Sequence, residues 1–173
     1  MGNYEWAQVF RQCWDKAVET YRAGNRQPAS YFTSDETAFL ASIGCSAQEM
    51  YDFAEDSEEL SFDTALLITA ARRDFFLVVQ ECRPSRLAIS VDEFPAKEAE
   101  LAGFGWLPRL IEKSRAKLRG EMPAELMYCC GGDRAFFKKV NIHPADFLRV
   151  VWAARDDDRK ILEYVKQCAC QSV

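Results

Sequence analysis

The sequence predicts an all-α protein built of two similar helical halves related by an internal duplication, and three observations predict it. Apolar residues recur at spacings of three and four through most of the chain, the period that gathers side chains on one face of an α-helix. Helix-start signals are frequent. Thr33-Ser34-Asp35-Glu36 and Ser46-Ala47-Gln48-Glu49 both place a hydroxyl three residues before a carboxylate, the arrangement of a capping box. Third, shifting the first half by 97 positions lays it on the second. Phe10, Cys13, Trp14, Ala17 and Tyr21 then fall on Leu107, Leu110, Ile111, Ser114 and Leu118, while Lys16 meets Lys113, Tyr31 meets Tyr128, Glu36 meets Asp133 and Ile43 meets Val140. The correspondence runs through loops and caps, which shared amphipathic patterning alone would not supply. It predicts two halves packed about a pseudo-twofold axis: residues 1–82, then an ordered linker over 83–105, then 106–173, forming one structural unit.

The elements follow in order. Trp6, Phe10, Cys13, Trp14, Ala17 and Tyr21 define a first helix that stops near Gly24. The helix opened by Thr33 carries Ala38, Phe39, Leu40 and Ile43 and turns at Gly44, and the one opened by Ser46 places Met50 and Phe53 inward. Ser61 or Asp63 starts a longer helix to about Gln80, whose apolar residues Ala65, Leu66, Ile68, Phe75, Phe76 and Val79 wrap much of its circumference and make it central. Between Arg83 and Gly105, Pro84, Pro95, Gly103 and Gly105 break helicity, and Leu87-Ala88-Ile89-Ser90-Val91 is the one β-compatible run. Helicity resumes at Pro108, a residue suited to a first turn, with Leu107, Leu110, Ile111, Ser114 and Leu118 inward and Gly120 as the stop. Three more helices are expected: Asp133 to Val140, Pro144 to about Ala154, and Asp157 or Asp158 to about Gln167, with a fraying tail over Ala169 to Val173.

Composition excludes several roles. With 49% apolar residues in 173, the chain buries roughly 70% of its unfolded surface and needs no metal or disulfide staple. A net charge of −5 is a poor footprint for nucleic acid. Arg72, Arg73 and Asp74 interrupt the most apolar stretch, well short of the ~18 apolar residues of a membrane span. The N-terminus, Met1 to Trp6, shows neither signal-peptide nor myristoylation features, and Cys170-Gln171-Ser172-Val173 lacks the aliphatic residues of a prenylation box. Seven cysteines do not close a disulfide framework, so free thiols in a reducing cytoplasm are expected. Cys13 and Cys45 fall among core positions, while Cys82, Cys129, Cys130, Cys168 and Cys170 are expected to be more accessible.

The run Trp106-Leu107-Pro108-Arg109-Leu110-Ile111-Glu112-Lys113-Ser114-Arg115-Ala116-Lys117-Leu118-Arg119-Gly120 resembles the signature of a bacterial family described as domain of unknown function 5069. Asn141-Ile142-His143-Pro144-Ala145-Asp146-Phe147 and Asp156 to Asp158 fit its later part, so the resemblance covers about residues 100 to 167. Glu112 and Ser114 stand where the pattern has Asp and Ala. The resemblance implies a helical bacterial protein and assigns no chemistry.

Four residues form the candidate ligand site: Trp106, Arg109, Lys113 and Tyr128. Arg109, Lys113 and Lys117 recur one turn apart, with Arg115 and Arg119 beside them, and such a row can hold a phosphate or carboxylate. The plainer reading makes them the solvated flank of an apolar stripe, their stems covering core edges. Arg109 stands out because a cation in a first helical turn opposes the helix dipole and calls for a specific partner. Tyr128-Cys129-Cys130-Gly131-Gly132 precedes a helix and could offer N–H groups to an anion, but Asp133 read as its N-cap would occupy those donors. His143, the only histidine, could pair with Cys130 and Asp146 for catalysis; its place before Pro144, aligned with Ser46, marks it instead as an N-cap. Cys129, Cys130, Cys168, Cys170 and His143 lack zinc-site spacing. Phe39 to Phe53 has the shape of a helix-turn-helix, but its second helix carries Glu49, Asp52, Glu55 and Asp56 and no base, which opposes DNA.

Two functional readings result. The first is a noncatalytic interaction or structural module, binding a protein partner or itself, with no cofactor, metal, nucleic acid or membrane. Clustered exposure of Trp6, Trp152 or Tyr164 would mark its interface. The alternative is a binder of, or enzyme acting on, a small anionic ligand between the halves.

Overall fold

The computed structural model describes residues 4–170. Within them the chain forms eight α-helices and one two-stranded hairpin, and divides into two compact units, Met1–Arg83 and Pro84–Val173. Met1 to Asn3, where signal-peptide and myristoylation features were expected to be lacking, and Gln171 to Val173 of the tail lie outside the described residues.

In the first unit, α1 (Trp6–Arg22), α2 (Ser34–Ser42), α3 (Ala47–Glu55) and α4 (Phe62–Val78) follow one another. Both capping boxes form. Thr33 Oγ1 accepts from Glu36 N while Glu36 Oε2 accepts from Thr33 N, and Ser46 and Glu49 repeat the arrangement. Phe10, Cys13, Trp14 and Ala17 are buried on α1, which packs against α3 through Trp14 and Phe53. Ser61 Oγ accepts from Thr64 N and starts α4. That helix is less enclosed than its composition predicts: Ala65, Ile68, Ala71 and Phe76 are buried, but Leu67, Val78 and Val79 are exposed. The turn between α2 and α3 needs Gly44. Its φ is +71°, and a Cβ there would meet Phe76 Cγ at 2.8 Å, so both the backbone and the close approach exclude a side chain.

In the second unit the run Leu87 to Ser90 forms no regular secondary structure. The strands lie later, β1 (Glu100–Leu101) pairing antiparallel with β2 (Phe104–Gly105), because Ala102 and Gly103 at positive φ form a tight reversal. Then come α5 (Leu107–Arg119), α6 (Gly131–Val140), α7 (Pro144–Ala154) and α8 (Asp158–Cys170). All five inward residues predicted for α5 are buried, and α5 packs on α7. α8 continues three residues past its expected end, through Ala169 and Cys170. Phe137 holds the core together, contacting Tyr128, Phe136 and Phe147 edge-on.

Two helices of each unit begin in parallel places. Ser34 and Gly131, and Ala47 and Pro144, open their helices 97 positions apart, and Arg22 and Arg119 close theirs at the same spacing. Gly44 and Asn141, also 97 apart, both adopt positive φ.

Candidate functional site

α5 brings the predicted basic row inward rather than outward. Arg109, Lys113 and Lys117 are 8%, 2% and 4% exposed, which corrects the solvated-flank reading. A buried ammonium must be compensated, and the compensation for Lys113 comes from α6. Asp133, fully buried, accepts from Lys113 Nζ at 2.5 Å through Oδ2. The same oxygen accepts from Cys129 N at 2.8 Å, and Oδ1 accepts from Trp106 Nε1 at 2.8 Å. Three donors of different kinds, from α5, from the residue before α5 and from the loop before α6, therefore converge on one carboxylate.

Local sequence explains the convergence. Trp106 adopts a left-handed conformation, φ 72°, just before α5, which turns its indole toward α6. Gly132 lets the ring approach: a Cβ there would lie 2.5 Å from Trp106 Cζ2. Cys129 is also at positive φ, 69°, which turns its N–H back to Asp133. Asp133 is not the N-cap that the sequence predicts. Cys130 holds that position, α6 starts at Gly131, and Asp133 is the third helical residue. Lys113 Nζ also lies 3.4 Å from Cys130 Sγ.

The remaining candidates are engaged nearby. Arg109 Nη1 donates to Pro95 O at 2.6 Å, with the guanidinium 5.9 Å from the centre of the Phe94 ring; this is the specific partner its first-turn position calls for. Tyr128 Oη donates to Pro144 O at 2.8 Å, and burial pushes its phenol well above the ordinary range. Thus Lys113 and Trp106 share Asp133, while Arg109 and Tyr128 each bond a different carbonyl. Arg115, which sequence reading treated as an accessory, joins Glu112, Asp158 and the carbonyl of Arg155, tying α5 to the turn before α8.

His143 takes the capping role, its Nδ1 accepting from Ala145 N at 3.2 Å. Among the cysteines, Cys129 proves fully buried, and burial followed by the Asp133 charge pushes its thiol up to about 12. Cys130 and Cys168 are half-buried, and Cys82 and Cys170 exposed. Among the described residues no group of three or more His, Cys, Asp or Glu side chains is placed to hold a metal, and no helix is long and apolar enough to cross a membrane. Trp6, Trp152 and Tyr164 are each half-buried. In the first unit an open groove of about 430 Å³ is lined by Trp14, Asp15, Glu19, Arg22 and Phe62.

The residues above define a class: a helical unit whose core encloses a lysine–aspartate pair satisfied from within. Residues 94–172, somewhat less than half of the chain, match the family model described as Domain of unknown function (DUF5069). The match begins at Phe94, upstream of the Leu-Pro-Arg run. No curated protein and no solved structure matches the chain.

Proposed function

We propose that this protein is a noncatalytic helical module that acts by interaction, with a protein partner or with itself. The observation that supports it is the internal use of the candidate site: Trp106, Arg109, Lys113 and Tyr128 all direct their polar atoms to groups of the same unit. A cation already neutralised by a buried carboxylate has little to offer an anionic ligand. Val78 and Leu87, 70% and 71% exposed, supply apolar surface for contacts. The seven free thiols fit the reducing cytoplasm expected for it.

A small anionic ligand is the second reading, and Arg109 favours it, because its guanidinium gives one hydrogen bond within the described residues and keeps other donors. Native mass spectrometry on gently purified protein separates the two. A bare monomer or dimer mass sustains the interaction module. An excess mass that Arg109→Ala abolishes overturns it. Stability alone does not decide, since losing the bond to Pro95 and the contact with Phe94 costs about 1–3 kcal/mol under either reading.

We also infer that the two units descend from one duplicated ancestor. Helix bounds and left-handed turns 97 positions apart support this, and so does a shared ion pair: Lys16–Glu36 joins α1 to α2 as Lys113–Asp133 joins α5 to α6. Superposing experimental coordinates of residues 6–55 on 103–152 tests it. Helix axes that diverge within either segment would refute common descent.

A further inference from the structure

We propose that Lys113 and Cys130 form an oxidative modification site, in which a peroxide oxidises the Cys130 thiol and the Lys113 amine captures the product as a covalent nitrogen–sulfur cross-link. Two nucleophilic groups from different elements meet here, with Nζ and Sγ 3.4 Å apart, at van der Waals contact. Lys113 is 2% exposed and its amine is anchored by Asp133, so the nitrogen is held against the sulfur. Cys130 is only half-buried, which leaves its sulfur reachable by a small oxidant while the amine is shielded.

The chemistry closes with one equivalent of hydrogen peroxide. The sulfur attacks one peroxide oxygen, the O–O bond breaks, and the thiol becomes a sulfenic acid with release of water. Lys113 passes a proton to Asp133 Oδ2, 2.5 Å away, and becomes a neutral amine. Its lone pair attacks sulfur, and hydroxide leaves, taking a proton from the nitrogen to form a second water. Sulfur has lost two electrons and peroxide has gained them. The proton that Lys113 surrendered stays on Asp133, so a buried ion pair is replaced by neutral groups and a covalent bond between α5 and the start of α6.

A sulfenic acid is more often resolved by a thiol, and the adjacent thiol is badly suited. Cys129 is 0% exposed and pushed up to about 12 by burial, so at neutral pH it is almost wholly the unreactive protonated form. Its left-handed backbone is committed to the hydrogen bond that its N–H donates to Asp133 Oδ2. Lys113 is the nucleophile already in place.

The test uses the full chain, reduced, freed of reductant, exposed to hydrogen peroxide, alkylated, digested with trypsin and analysed by mass spectrometry. The expected product links the peptides around Lys113 and Cys130 at their summed mass less two hydrogens, resists cleavage after Lys113 and separates with dithiothreitol. Lys113→Arg, which keeps the charge, and Cys130→Ser should each abolish it. Peroxide treatment in urea should give none. Cys130 ending as a disulfide or sulfinic acid beside unmodified Lys113 in the folded wild type would overturn the proposal, whether or not the variants fold. So would equal linkage in urea.

Discussion

Gly131 and Gly132 are neighbours at the start of α6, and replacing each by alanine should shift stability in opposite directions. In a helix interior alanine is favoured over glycine by about 1 kcal/mol, and by less in a first turn. At Gly131 nothing opposes that preference, because the nearest atom to a new Cβ is Arg134 Nη2 at 3.7 Å, an ordinary contact. At Gly132 the Cβ would lie 2.5 Å from Trp106 Cζ2 and 2.8 Å from Cη2, so the indole must move. It is not free to do so, since Nε1 is bonded to Asp133 Oδ1 at 2.8 Å. Overpacking of this kind costs about 1–3 kcal/mol. Stripping a hydrogen bond from a buried carboxylate adds about 1–3 kcal/mol. With the helix preference subtracted, Gly132→Ala should lose about 1–5 kcal/mol, a fall in Tm of roughly 2–20 °C for a chain of this length. Urea unfolding followed by far-UV circular dichroism and indole fluorescence measures both variants, with separate transitions fitted for the two units. Gly132→Ala as stable as the wild type, or both variants shifting alike, would refute the account of Trp106 and Asp133.

The two lysine–acid pairs should differ sharply under neutralisation. Asp133→Asn leaves a buried ammonium without its counter-charge and should cost about 3–5 kcal/mol, whereas Glu36→Gln, at a half-exposed pair, should cost about 1 kcal/mol or less by the same denaturant assay. The hydrogen bond from Lys16, followed by that from Thr33 N, holds the Glu36 carboxyl below the ordinary glutamate range. A depressed folded-state pKa means its stabilisation is complete above the unfolded value and lost as pH falls through the folded one; acid titration of stability should therefore lose slope below pH ~4 in Glu36→Gln relative to wild type. Among the thiols, Cys82 and Cys170 should react first with a chromogenic disulfide at neutral pH. Cys13 and Cys129, pushed by burial to about 11 and about 12, should react only on unfolding, and rapid labelling of either in the folded chain would contradict their burial. His143→Ala should destabilise by about 1 kcal/mol through loss of the α7 cap, and His143→Ser should restore most of it.

Much of the helical frame was legible because its signals are local. Thr33 with Glu36, Ser46 with Glu49, Ser61 and His143 each declare a helix start within four residues, and each is found capping. The β-compatible run Leu87 to Ser90 misled for the opposite reason: β-propensity without a partner does not make a sheet, and the pair that forms is selected by the tight reversal at Ala102 and Gly103. The candidate site was half legible. Its residue types stood out, but a helical wheel assigns Lys113 to the flank of an apolar stripe and cannot see a carboxylate twenty positions further on.

A signal for that pair was nevertheless present. Lys16 aligns with Lys113 and Glu36 with Asp133, so the spacing from lysine to acid is the same in both halves, and in both the two groups are bonded. What the alignment could not supply is the difference in surroundings. Lys16 and Glu36 are 38% and 31% exposed, against 2% and 0% for Lys113 and Asp133. The shorter aspartate lies deeper, and a left-handed Trp106 over Gly132 covers it with an indole that doubles as a donor. Enclosure makes the second pair costly to break and intolerant of change at Gly132, whereas solvent can replace either partner of the first. A lysine–acid pair at the same spacing can therefore stand in both places while only one of them becomes a rigid polar core, and that rigidity is what holds the Lys113 amine against the Cys130 sulfur.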